Sequence, residues 1–293
     1  MIYLLGSVIF SAYLVLAFKV LGKLGINAFQ AIVFNYVFCV ITGSVMNQTM
    51  PVQLKWYAEP WIGWAVGMGF AFIFLFNIIS VTARHKGVST ASVSNKLSLV
   101  IPVVFSVILY GEAIGPVKIA GIVLALVAIV FTTQPSDEIN DGVHKVHKWY
   151  ALLPVILFVG SGLLDTSIKY VEQAFLNESN HHHFIITAFG VAAAIGLIIF
   201  AWHLVTGKEK FDIRAVAAGM LIGIPNYFSI WFLVQVLKSF GDKSATMIPV
   251  NNMSIVLVSA VSAWLFLGEK ITVRNWLGIG LAIVAIAMIA FGR

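Results

Sequence analysis

Residues 121–129 read GIVLALVAI, and residues 278–286 read GIGLAIVAI. Seven of the nine positions are identical at a separation of 157 residues (278 − 121). Apolar segments built from a few residue types match by accident, so this pair alone decides little. Its surroundings decide more. The same shift lays Lys86 on Lys243, Asn95 on Asn252, Gly111-Glu112 on Gly268-Glu269 and Ile114 on Ile271, for 14 identities over the 45 residues 86–130. Shared Asn, Lys and Gly-Glu do not follow from apolar bias. The chain contains an internal repeat.

Composition says what is repeated. Of 293 residues, 60% are hydrophobic and 10% charged, with a mean hydropathy of +0.97. Soluble domains carry about 25% charged residues, so this chain has too few charges to cover a water-facing surface. Apolar runs long enough to cross a bilayer recur throughout. Ten are expected, with cores at 2–20, 27–46, 61–82, 88–109, 116–132, 150–171, 183–205, 214–237, 244–267 and 273–291. The alternation of a transmembrane barrel is absent from the sequence. The first segment lacks a basic leader and an A-x-A site, and reads as a retained span. The formal charge of +6 belongs to loops facing anionic headgroups rather than to a nucleic-acid surface. The single cysteine, Cys39, forms no intramolecular disulfide and reads as a small buried hydrophobe.

The polar stretch TQPSDEINDGVHKVHK, residues 133–148, separates residues 1–132 from 149–293. Each side holds five spans. Because five is odd, the second half enters the membrane from the opposite side. The expected fold is therefore an all-α membrane protein of ten transmembrane helices in two inverted five-helix repeats, an architecture of many secondary transporters. Eleven Lys and Arg fall in odd-numbered connections and six in the others, which places both termini outside the cytoplasm.

The Gly-Glu that closes the fourth and ninth spans, in LYGEAI (109–114) and FLGEKI (266–271), and the Gly-rich spans that follow resemble the EamA type of the drug/metabolite transporter superfamily. The resemblance covers nearly the whole chain. It implies a basket of ten helices around a central cavity, with spans four and nine approaching at its centre. It also implies small metabolites as cargo, often exported. On physical grounds Gly111 and Gly268 suit the left-handed residue that ends a helix. Glu112 and Glu269 then lie near the start of the next helix, where exposed N–H groups favour a carboxylate; both read as structural.

Lys96, in VSNKLSL (93–99), is the residue hardest to explain by packing. Eight residues into a span starting at Val88, it lies about 12 Å deep, where a lysine costs at least about 2.5 kcal/mol on insertion scales. Its repeat equivalent is Met253, so the fold does not need a charge in both halves. Ser89, Thr90, Ser92, Ser94, Asn95 and Ser98 make the same half-span polar, which serves helix contact or a wet cavity. A second intramembrane cluster is LLDTSIKY (163–170). There Asp165 and Lys169 stand at i, i+4 and form a self-neutralising pair, or else line a pathway as cargo anchor, proton acceptor or partner for Lys96. The amides Asn35, Asn77, Asn95, Asn226, Asn251 and Asn252 both donate and accept, suiting a neutral polar or zwitterionic cargo or bonds between helices. Tyr227 is a candidate cavity wall. Pro225 and Pro249, which sit near polar residues, are candidates for loosening a helix and freeing a carbonyl, ahead of Pro102 and Pro154.

His181, His182 and His183 are consecutive and point in different directions on a helix, so they do not read as a metal site. No metal ligand set, cofactor motif, catalytic constellation or ATP-binding pattern is present in the sequence. The expected function is secondary active export or exchange of a small polar metabolite by alternating access, driven by a proton or counter-substrate, and not an enzyme. The alternatives are a membrane enzyme acting on lipid or isoprenoid groups, and a non-transporting scaffold. The expected location is the bacterial inner (plasma) membrane. The expected partners are the cargo and the bilayer. A monomer suffices and a dimer is allowed.

Overall fold

In a computed structural model, the described residues are 2–49, 58–110, 115–133, 148–177, 180–240 and 244–292. They are helical, with no strand among them. The helices are α1 Ile2–Lys23, α2 Ala28–Met46, α3 Ile62–His85, α4 Val88–Leu97, α5 Val100–Tyr110, α6 Pro116–Thr133, α7 Leu153–Phe175, α8 His181–Val205, α9 Ile213–Phe240, α10 Ser244–Leu267 and α11 Val273–Phe291. A 3-10 turn, Lys148–Ala151, leads into α7. Eight stretches are long and apolar enough to cross a membrane, one being α4 with the start of α5 taken together; the apolar parts of α6 and α7 are shorter. Asp165 and Lys169 do not interrupt the sixth span, since α7 runs through both.

Helix ends follow local chemistry. Asn27 caps α2 by accepting from Gln30 N–H at 3.2 Å, and Thr272 caps α11 by accepting from Asn275 N–H at 3.2 Å. Pro116 opens α6, where its missing N–H is not needed. Gly268 ends α10 with φ +63°, the left-handed residue its position predicts, and Glu269 N–H turns back to Ala263 O at 3.1 Å.

The chain forms two compact units, and each draws residues from both sides of the 133–148 stretch. One comprises 1–20, 78–163 and 229–293. In it α4 packs on α10, and α6 packs on α11. The core includes Val93 and Leu97 of α4, Ala125 and Ala128 of α6, Val256 and Ala260 of α10, and Ala282 and Ala285 of α11. Helices in lipid gain from close approach at small residues. Here Gly121 comes so near α11 that a Cβ would stand 3.0 Å from Met288 Cβ and 3.1 Å from Ala285 O. The two copies of the repeated nonapeptide thus pack against each other. The other unit comprises 21–77 and 164–228. There α2 packs on α8, and Trp61, Met68, Phe184 and Ala188 belong to a buried cluster.

Gly121→Leu should separate α6 from α11 and lower stability by about 1–3 kcal/mol. Thermal unfolding of the purified protein in detergent checks this.

Candidate functional site

The fourth span is broken beside the lysine. α4 ends at Leu97, Ser98 and Leu99 form a turn, and α5 begins at Val100. Pro102 explains the position. It has no N–H to give to the carbonyl four residues back, at Ser98, and its ring crowds that carbonyl. Ile101 N–H bonds Ser98 O at 2.9 Å, in i to i−3 fashion, and Leu99 N–H reaches Lys96 O at 3.5 Å. The Ser98 hydroxyl donates to Asn95 O. Lys96 stands in the last turn of α4, where a cation is favoured by the helix dipole, and it is half-buried, as is Asn95.

The polar face of α4 meets α10. Ser259 Oγ donates to Ser92 Oγ at 2.7 Å, with both residues buried. Asn251 of α10 is 2% exposed, and its Oδ1 has no hydrogen-bond partner among the described residues; nor do the buried hydroxyls of Ser89 and Ser94. Buried polar atoms normally carry a partner, and these three stand along α4 and α10. Asn252 is half-buried.

Glu269 fixes the other end of α4. Its carboxylate accepts from Val88 N–H at 2.9 Å and from Ser89 N–H at 3.3 Å. The expectation that it serves the helix following it in sequence is corrected here. α11 is capped by Thr272, and Glu269 instead caps α4, 181 residues away. Gly87 makes room. Its φ is +96°, and a Cβ there would stand 2.5 Å from Glu269 Oε1. The repeat partner Glu112 lies outside the described residues.

In the second unit the amides are mostly engaged. Asn226 Nδ2 donates to Asn35 Oδ1 at 3.1 Å, and both residues are buried. Gly223 lets α9 approach the Asn35 carbonyl, where a Cβ would be 2.5 Å away. Cys39 donates to Gly223 O at 3.3 Å. Asn35 Nδ2 has no partner among the described residues. Asn77 donates to Ile73 O at 2.7 Å within its own helix. Tyr227 is buried and its hydroxyl accepts from Asn47 Nδ2 at 2.8 Å. Asp165 is exposed on α7, and the Lys169 side chain lies outside the described residues. His181, His182 and His183 open α8, and no group of His, Cys, Asp or Glu among the described residues is placed to hold a metal.

Sequence reasoning passed over Gln30. It is fully buried on α2 and clamps the α8–α9 connection. Its Nε2 donates to Lys210 O at 2.8 Å and Glu209 Oε2 at 3.1 Å, and its Oε1 accepts from Asp212 N–H at 3.0 Å. Asn27 Nδ2 adds a bond to Glu209 at 2.8 Å. The available signal was a glutamine inside the apolar run AFQAIVF. Ser259 was missed as well, since one serine in a span is unremarkable without its partner.

The eight stretches among the described residues that are long and apolar enough to cross a membrane mark a multi-pass integral membrane protein. Residues 149–291 match the model of the EamA-like transporter family. An uncharacterized protein of Haemophilus influenzae is 22% identical over 290 residues, covering 97% of this chain and 95% of its own. A solved crystal structure, described only as that of a protein, resembles the fold with a TM-score of 0.59 at 15% identity, over 98% of this chain and 94% of its own.

Glu269→Ala leaves the first N–H groups of α4 without their acceptor and should lower stability by about 1–3 kcal/mol. Glu269→Gln keeps an acceptor oxygen and should lose less. Thermal melts of the two variants beside the wild type read the difference.

Proposed function

We propose that the protein is a secondary active transporter that exports or exchanges a small polar metabolite, by alternating access between inverted halves 1–132 and 149–293. The observation that carries this reading is the broken fourth span with Lys96 at the break. Discontinuous helices at membrane depth form the cargo sites of many secondary transporters, because a helix end offers unspent backbone groups and a dipole. Lys96 adds a full charge where ionisable residues are retained for function. It anchors a carboxylate or similar anionic group, and the unsatisfied Ser89, Ser94 and Asn251 supply hydrogen bonds beside it.

Helix packing supports the inverted repeat. Numbered by span, the pairs α2/α8, α4/α10 and α6/α11 are second with seventh, fourth with ninth and fifth with tenth. Each span touches its own repeat equivalent, as elements near a local two-fold axis must. The small residues Gly121, Ala125 and Ala128 correspond at the 157-residue shift to Gly278, Ala282 and Ala285, and all six are buried. Asn35, Asn226, Tyr227 and Asn77 act mainly as bonds that fix helices, with Asn35 Nδ2 the amide group left to face cargo. Asp165 on α7 supplies the proton or cargo-amine role, with Lys169 beside it on the pathway, and Asn95 and Asn252 line the path at repeat-equivalent positions. The bacterial plasma membrane is the proposed location, and a monomer is sufficient.

Lys96→Met should abolish cargo flux in proteoliposomes while leaving the thermal melt and the elution profile unchanged. Normal flux by a folded Lys96→Met protein would sink the site assignment. Absence of any cargo-dependent flux in the wild type would sink transport itself.

A further inference from the structure

α2 is fastened to α9 and its leading connection at three levels, all within the unit that comprises 21–77 and 164–228. Near the start of both helices, Gln30 donates to Lys210 O at 2.8 Å and to Glu209 Oε2 at 3.1 Å, and accepts from Asp212 N–H at 3.0 Å. Asn27 adds its bond to Glu209 at 2.8 Å. Midway along α2, Asn226 donates to Asn35 at 3.1 Å, and Cys39 donates to Gly223 O at 3.3 Å. Just past the end of α2, Asn47 donates to the Tyr227 hydroxyl at 2.8 Å. The bonds thus run the whole length of α2, about 28 Å for its 19 residues.

Between the bonds the backbones interlock. A Cβ at Gly219 would collide with Phe34 Cβ, one at Gly223 would stand 2.5 Å from Asn35 O and 2.8 Å from Phe38 Cβ, and one at Gly43 would stand 2.9 Å from Tyr227 Cε2. The plain explanation is that each bond satisfies one buried polar group. It covers the bonds singly, but not their spread over both ends and the middle of one helix, nor the contact of Gly223 with backbone, which yields less than a flexible side chain. Packed helices that meet through apolar side chains slide on one another by small shear motions. At this crossing a slide would strand Gln30 and Asn35, both fully buried, and buried polar groups bear the loss of a partner poorly.

We propose that α2 and residues 213–227 of α9 move as one rigid body. On the alternating-access reading above, on which this rests, the parts that move are then not simply the halves 1–132 and 149–293. α2 comes from the first half and α9 from the second, and each travels with its bonded neighbour rather than with its own half.

The test is double electron–electron resonance between spin labels on the full chain in nanodiscs, at neutral and at acidic pH, in a Cys39→Ser background. Cys39 is the chain's one cysteine, and serine keeps a donor for Gly223 O. The labels replace exposed residues. Ile41 with Leu221 joins α2 to α9. Ile41 with Val123 joins α2 to α6, inside one sequence half. Val273 with Val284, both on α11, gives the width of a rigid reference. The expected result is an Ile41–Leu221 distribution as narrow as the reference and unchanged with pH, beside an Ile41–Val123 distribution that is broader or has two maxima. Gln30→Leu combined with Asn226→Leu should then broaden the Ile41–Leu221 distribution; if that variant does not fold, Asn47→Ala is read in its place. The reverse pattern, with Ile41–Leu221 broad and Ile41–Val123 narrow, makes the sequence halves the moving bodies. It overturns the proposal and leaves alternating access standing. Two broad distributions overturn the rigid body in the same way. Two narrow ones at both pH values overturn alternating access, and the proposal with it. An Ile41–Leu221 distribution that stays narrow when the bonds are removed overturns their role in joining the helices.

Discussion

Inside a bilayer every backbone amide depends on a partner supplied by the protein, because the hydrocarbon supplies none. The long helices meet this demand by themselves. The fourth span does not, since Pro102 withholds a donor from Ser98 and the helix divides into α4 and α5. α4 is ten residues long, too short to be stable alone. It is held at its start by the Glu269 carboxylate, along its length by Ser92 on Ser259, and in the core by Val93 and Leu97 near Val256 and Ala260. The position of Lys96 is thus set largely by α10 and the turn after it.

This dependence links the two ends of the sequence to one lysine. Glu269 leaves a helix through the left-handed Gly268 and enters the space that the missing side chain of Gly87 provides. The Gly-Glu pair is therefore a long-range device: glycine turns the chain, and the carboxylate accepts from the Val88 and Ser89 N–H groups far away in sequence. Close packing elsewhere follows the membrane preference for small residues. Gly121 admits α11 to α6, and Gly223 admits α9 to the backbone of α2 at Asn35. At that second crossing, Asn35 and Asn226 bond to each other, which fastens α2 to α9.

Much of the helical order was legible because hydrophobicity in a membrane protein varies over whole spans, and ten apolar runs are visible by eye. The helix end at Gly268 was legible from residue type. Three features were not. The break at Ser98 needed the geometry of Pro102 rather than its presence, since Pro225 lies inside a continuous α9. The target of Glu269 lies 181 residues distant, and local chemistry pointed to the nearer helix start. Gln30 and Ser259 are single polar residues whose partners come from segments remote in sequence, so no spacing rule marks them. Lys96 stood out from sequence alone because its cost at that depth is independent of its neighbours.

The central claim is that Lys96 anchors the anionic group of a small cargo. Its most direct test is the thermal stability of the purified protein against a library of small metabolites, measured in parallel on wild type and Lys96→Met. The account predicts stabilisation by a subset of carboxylates or amino acids that disappears in the variant, while the melt without ligand is unchanged. A ligand that stabilises both proteins equally would contradict it and leave Lys96 as a structural or coupling residue.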